Sequence, residues 1–204
     1  MRALLALAAC YLLGAIPTSY LAAKLFRGID LRTQGSGNLG ATNLYRTLGA
    51  KFAIPVGLFD MAKGAVPVMI IAPLVSGSKY FAILCGVVAV LGHVFSVFVG
   101  FRGGKGVATA AGVMVGLTPW AVLVSLVAWL FVVRLSGYVS LGSMTGAVVL
   151  PVAAWVLHPE QHDLIWIQVL VALAIIWLHR TNIRRLLAGT ENRFGRRRAS
   201  ESSG

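Results

Sequence analysis

The chain has 204 residues, of which 58% are hydrophobic and only 12% charged, with a mean hydropathy of +0.83. A soluble domain carries about 25% charged residues, so a chain this apolar cannot clothe itself in polar surface and must present most of its exterior to lipid. This excludes a cytosolic enzyme, a disordered chain and a secreted disulfide scaffold. The net charge of +12 would suggest nucleic acid in a soluble protein. In a membrane protein it reports topology and contact with anionic headgroups, so no nucleic-acid partner is expected.

Apolar stretches long enough for helices run over about 3–23, 52–75, 80–100, 107–133, 139–157 and 164–178. The first is preceded by Arg2 and followed by Lys24, Arg27 and Arg32, which favours an uncleaved helix with its N-terminus outside. Cys10 and Cys85 lie within apolar runs without paired spacing and read as small buried hydrophobes. The fourth stretch has no charge over 107–133, about 40 Å of helix, more than the roughly 30 Å hydrocarbon core needs. A break at Thr118-Pro119 would divide it, because proline cannot continue the hydrogen-bond ladder.

Charge parity decides between six spans and seven. With seven, 15 of the 18 Lys and Arg residues fall on one side, including Arg46, Lys105 and the arginines from Arg180 onward. Six spans would place the Arg46 and Lys105 loops opposite the arginine-rich C-terminus. The positive-inside rule therefore predicts an all-α polytopic membrane bundle of seven transmembrane helices, N-terminus periplasmic and C-terminus cytoplasmic. Residues 1–192 read as one transmembrane domain, and 193–204 as a basic disordered tail against the anionic leaflet.

This topology puts three polar segments, 34–46, 100–106 and 179–191, on the cytoplasmic face, where they are expected to form one site. Residues 35–43 read GSGNLGATN. The GxGxxG match is not a dinucleotide fingerprint, since no strand precedes it. Its physical core remains: Gly35, Gly37 and Gly40 let backbone N–H groups approach an anion. Ser36, Asn38, Thr42 and Asn43 add polar groups, and Arg46 a guanidinium fork. Residues 100–109 read GFRGGKGVAT; Gly106 after the lysine rules out a Walker A loop. Arg102 and Lys105 among Gly103, Gly104 and Gly106, with Thr109 following, form an anion site where a helix begins. In the third segment His179 and Asn182 share a helical face, Gly189 can end the helix, and Glu191 folds back among arginines. Asp60 and Lys63 are close enough to pair inside the second span, as a functional or a purely structural ion pair. His158 and Asp163 match the His-x4-Asp spacing of soluble glycerolipid acyltransferases, but fall in an external loop away from every other polar segment.

Together, GSGNLGATN at 35–43, DMAKG at 60–64, GHVFS at 92–96, FRGGKGVAT at 101–109 and the 179–191 run resemble the bacterial acyl-phosphate:glycerol-3-phosphate acyltransferase family, PlsY, over about 11–193. The resemblance implies a seven-helix inner-membrane enzyme moving a fatty acyl group from acyl phosphate to the 1-hydroxyl of glycerol 3-phosphate. It implies Ser36, Arg46, Lys105, Ser143, His179 and Asn182 as active-site residues, with Glu191 supporting the last motif. No cofactor or metal is implied; the partners are both substrates, membrane lipid and the enzyme that supplies acyl phosphate. The attacking hydroxyl's proton goes either to His179 as general base or to a substrate phosphate, which is the reading preferred here. The alternative from another class, a membrane carrier for phosphorylated small molecules, predicts internal repeats that the sequence lacks.

Overall fold

The computed structural model describes residues 1–194; all but the first two residues of the expected basic tail lie outside the described residues. Among the described residues the secondary structure is helical, without strands. The chain divides into two compact units, Met1–Val122 and Leu123 onward.

In the first unit α1 (Arg2–Ala15) and α2 (Thr18–Arg27) meet at a bend of 44°, where the sequence suggested one continuous run over 3–23. Pro17 is the reason: it lacks an N–H and forces Ile16 out of the helical region, to ψ 114°. The break takes the carbonyls of Ala15 and Ile16 out of the regular helical ladder, and Ile16 O accepts the Thr18 N–H at 3.0 Å. The Ser96 hydroxyl donates to Ala15 O at 2.5 Å and the Lys63 ammonium to Ile16 O at 2.8 Å, which satisfies both. Asp30 then caps a short turn, Leu31–Thr33, and the Arg32 guanidinium hydrogen-bonded to it holds its carboxyl down at about 2.

The remaining helices of this unit are α3 (Ala41–Leu48), α4 (Ala50–Val66), α5 (Lys79–Val94) and α6 (Val107–Leu117). Small residues let α4 and α6 touch backbone to backbone. A methyl on Gly64 would collide with the Thr109 carbonyl, and one on Gly112 with that of Met61. Thr118 leaves the helical region and Pro119 opens α7 (Pro119–Ser136), the break expected from the sequence.

The second unit takes most of α7, followed by α8 (Val139–Leu157), a turn at Pro159–Leu164, α9 (Ile165–Leu178) and α10 (Arg180–Leu187). On α9 Trp166, Leu170, Leu173 and Trp177 are exposed at helical spacing, an apolar stripe that only lipid can solvate favourably. Five segments, Ala50–Ile71, Lys79–Val99, Pro119–Ser136, Val139–Leu157 and Pro159–Leu178, are long and apolar enough to cross a membrane, and the bent α1–α2 pair makes a sixth if it is one span. α6, with 11 residues, covers only about 16 Å.

Candidate active site

The first unit carries two of the three polar segments. Gly35 and Gly37 adopt positive φ, +57° and +69°, and turn the chain sharply ahead of α3. Asn43, buried on the first turn of α3, staples that loop. Its Oδ1 accepts the Ser36 N–H at 3.0 Å, and its amide donates to Gln34 O at 3.0 Å and Leu31 O at 3.4 Å. With both amide hydrogens on the loop's own carbonyls, Asn43 shapes the segment. Ser36 is exposed, while Asn38, Gly40, Thr42 and Arg46 are half-buried. Arg46 stands three residues beyond Asn43, so the guanidinium rises from the same side of α3 that anchors the loop.

The second segment folds against the end of α5. The Gly103 N–H donates to Val94 O at 3.0 Å and the Gly104 N–H to His93 O at 3.2 Å. These glycines therefore serve close approach: a Cβ on Gly103 would strike the His93 carbonyl, and one on Gly104 the His93 ring. Gly106 caps α6 at φ +73°, leaving half-buried Lys105 between an anchored turn and a helix N-terminus, whose dipole favours an anion there. Arg102 is exposed at the loop's edge, and the Thr109 hydroxyl is fully buried with no hydrogen-bond partner among the described residues.

In the second unit His179 sits buried at the junction of α9 and α10, and its Nδ1 lies 2.8 Å from Ile175 O. A carbonyl can only accept, so Nδ1 carries a proton and a neutral ring has its lone pair on Nε2. Gly189, at φ +67°, ends α10, and the Thr190 N–H closes back on Arg185 O at 2.8 Å. The chain then reverses and delivers Glu191 into the protein. Its carboxylate accepts from Asn182 Nδ2 at 2.7 Å, the Ser140 hydroxyl at 2.9 Å and Arg185 Nε at 2.6 Å. Burial alone would raise the Glu191 carboxyl; the hydrogen bonds from Arg185, Asn182 and Ser140 outweigh it and hold it below the ordinary range.

A carboxylate held low stabilises the fold at pH values above its unfolded range and loses that contribution as pH falls through its folded value. Glu191→Gln is therefore expected to flatten the acid limb of thermal stability and to cost about 1–3 kcal/mol at neutral pH. An acid limb identical to that of the parent, read from unfolding midpoints in lipid discs, would count against this assignment.

The Ser143 hydroxyl, one turn along α8 from Ser140, donates to Val139 O at 2.9 Å and accepts from Trp129 Nε1 at 3.3 Å. With its proton on a backbone carbonyl, it lacks the adjacent base of an activated nucleophile. Sequence reasoning missed Ser140 and Trp129 altogether. Ser140 did leave a signal, as a hydroxyl three residues from Ser143 inside an apolar span. Sequence reasoning placed His93 in a motif and on the same side as His179, but gave it no role; the structure sets its ring beneath the 103–106 loop. His158, of the dismissed His-x4-Asp pair, has its Nδ1 3.3 Å from Glu160 Oε1, in the turn between α8 and α9.

A sequence profile described as glycerol-3-phosphate acyltransferase matches residues 4–189. The glycerol-3-phosphate acyltransferase of Geobacter metallireducens is 51% identical over 191 residues, 94% of this chain and 97% of that protein. That of Shouchella clausii is 44% identical over 193 residues, covering 93% and 94%. A crystal structure of PlsY, an integral membrane glycerol 3-phosphate acyltransferase in its glycerol 3-phosphate form, superposes with a TM-score of 0.88 at 39% identity and 96% coverage of both chains. The lysophosphatidic acid form gives 0.85 at 38%. With similarity running through the polar segments and across nearly the whole length, this integral membrane protein belongs to the glycerol-3-phosphate acyltransferase family.

Proposed function

We propose that the protein transfers a fatty acyl group from acyl phosphate to the 1-hydroxyl of glycerol 3-phosphate, releasing lysophosphatidic acid and inorganic phosphate. The observation that carries this reading is the pair of glycine-turned segments in the first unit, one followed by Arg46 and the other presenting Lys105 ahead of a helix N-terminus. Both substrates carry a phosphate, and a site for them needs two such anion holders within an apolar protein.

The reaction is an acyl transfer from a mixed anhydride. The glycerol hydroxyl oxygen attacks the acyl carbon, the bond from that carbon to the phosphate oxygen breaks, and phosphate departs with its electron pair. Because phosphate is a good leaving group, no covalent enzyme intermediate is needed; alignment and charge stabilisation carry the rate. In this scheme Ser36, Arg46 and Lys105 hold and neutralise phosphate oxygens, with Gly35, Gly37, Asn38, Gly40, Thr42, Asn43, Arg102, Gly103, Gly104, Gly106 and Thr109 forming the segments around them. Asn182 and His179 orient the acceptor, Glu191 holds Asn182, and Ser143 steadies α8 beside Trp129. The Ile175 carbonyl orients the His179 ring but brings no full negative charge to support an imidazolium. In this scheme His179 positions the acceptor and the hydroxyl proton passes to a substrate phosphate.

Residues 1–192 act as one catalytic domain in the bacterial inner membrane, with the reaction on the cytoplasmic side. Seven spans, with α1–α2 as one and α6 as a short one, fit the one-sided distribution of Lys and Arg. The enzyme that makes acyl phosphate is the natural supplier of the donor. Purified protein in lipid, given acyl phosphate, is expected to release phosphate only when glycerol 3-phosphate is added; release independent of the acceptor would overturn the reading.

A further inference from the structure

Beneath the 103–106 loop lies a buried polar cluster for which the proposed chemistry has no direct use. Asp60, Lys63 and His93 are 1%, 1% and 8% exposed. The Lys63 ammonium has three hydrogens and three acceptors around it: Asp60 Oδ1 at 2.7 Å, Ile16 O at 2.8 Å and His93 Nδ1 at 3.3 Å. Asp60 Oδ1 also accepts from the Thr18 hydroxyl at 2.5 Å. Since Lys63 donates to Nδ1, that nitrogen bears no proton, and the neutral ring carries its hydrogen on Nε2, the edge that faces Gly104. The ring is thereby fixed on one side by a saturated ammonium and pressed on the other against the loop that bears Lys105. The backbone adds two ties, from Gly103 to Val94 O and from Gly104 to His93 O.

We propose that His93 is a positioning residue for the phosphate-holding loop: locked by Lys63 and Asp60, its ring sets the height of Gly104 and so the place of Lys105. The proposal rests on the acyltransferase reading for what the loop holds, but not for the mechanical link itself. The cluster has a structural duty, because it satisfies the carbonyl freed by the Pro17 break. That duty requires Lys63; it does not require an imidazole with its far edge against a glycine. A helix-end acceptor for Lys63 could be supplied by a shorter side chain, whereas the loop support could not.

This difference defines the test. His93→Asn places a carbonyl oxygen where Nδ1 stands, so Lys63 keeps its third acceptor while the edge against Gly104 is removed. His93→Gln restores reach to that edge. In lipid discs, His93→Asn is expected to unfold within a few degrees of the parent but to exchange the amide hydrogens of 101–109 about tenfold faster. kcat/KM for glycerol 3-phosphate-dependent phosphate release should fall about tenfold, and His93→Gln should recover most of the loss. Unchanged exchange in the folded Asn variant would overturn the proposal. So would faster exchange with kcat/KM unchanged. If the parent protein released no phosphate on addition of glycerol 3-phosphate, the acyltransferase reading would fail, while the exchange measurement would still decide whether His93 supports the loop.

Discussion

Lys105→Ala is expected to lower kcat/KM for glycerol 3-phosphate-dependent phosphate release by about 10²–10³-fold, the scale of losing one preorganised group that stabilises developing charge. Lys105 follows a turn tied to the end of α5 and precedes Gly106, the cap of α6, so its backbone has little freedom. A side chain launched from so constrained a point is aimed before substrate arrives, and no ordering of the loop is needed during the reaction. Lys105→Arg keeps the charge but replaces a compact ammonium with a planar fork, and should recover only part of the rate. Lys51→Ala, at an exposed position outside the polar segments, serves as the control and should stay within about twofold. Steady-state phosphate release in lipid discs measures all three; a Lys105→Ala enzyme as active as the parent would remove the loop from the mechanism.

The largest loss of stability is expected from Lys63→Met. It leaves the Asp60 carboxylate buried without its counter-charge and strips donors from Ile16 O and His93 Nδ1. Breaking a buried ion pair from one side costs about 3–5 kcal/mol, which for a chain of this size lowers the unfolding midpoint by on the order of 10 °C. Asp60→Leu combined with Lys63→Met removes both charges and should be more stable than Lys63→Met alone. It should still fall short of the parent, because Ile16 O, though it keeps the Thr18 N–H, loses the ammonium, and His93 Nδ1 loses it too, a loss of about 1 kcal/mol per hydrogen bond. A single Lys63→Met variant with an unshifted midpoint would show that the cluster carries no such energy.

These two expectations separate what could be read from residue order and what could not. The helical spans were legible because lipid imposes a long apolar run on each, and the Thr118-Pro119 break because proline acts locally. The bend at Pro17 was equally local, yet it was hidden within an apolar run long enough to pass for one helix. The pairing of Asp60 with Lys63 was legible from i, i+3 spacing. The addition of His93, 30 residues further on, was not, because it depends on α4 and α5 lying side by side. The polar segments were recognisable from composition, but the uses of their parts were not. Gly103 and Gly104 read as anion-binding glycines, whereas their N–H groups go to the end of α5. Asn43 read as a donor for substrate, whereas its amide goes to the loop.

By itself, the sequence determined that the protein lies in a membrane as helices, that Lys and Arg are in large excess over Asp and Glu, and that its glycines and polar side chains gather in three segments. Each of these follows from residue type and local spacing, through hydrophobic transfer, charge and backbone freedom. The tertiary structure alone decided which polar groups are spent on holding the protein together: Glu191 on Asn182, Ser140 and Arg185, Asn43 on its own loop, and Lys63 on the carbonyl that Pro17 sets free. A buried hydrogen bond needs a donor and an acceptor at one distance and angle, and residues far apart in the chain meet that condition only after the helices have packed.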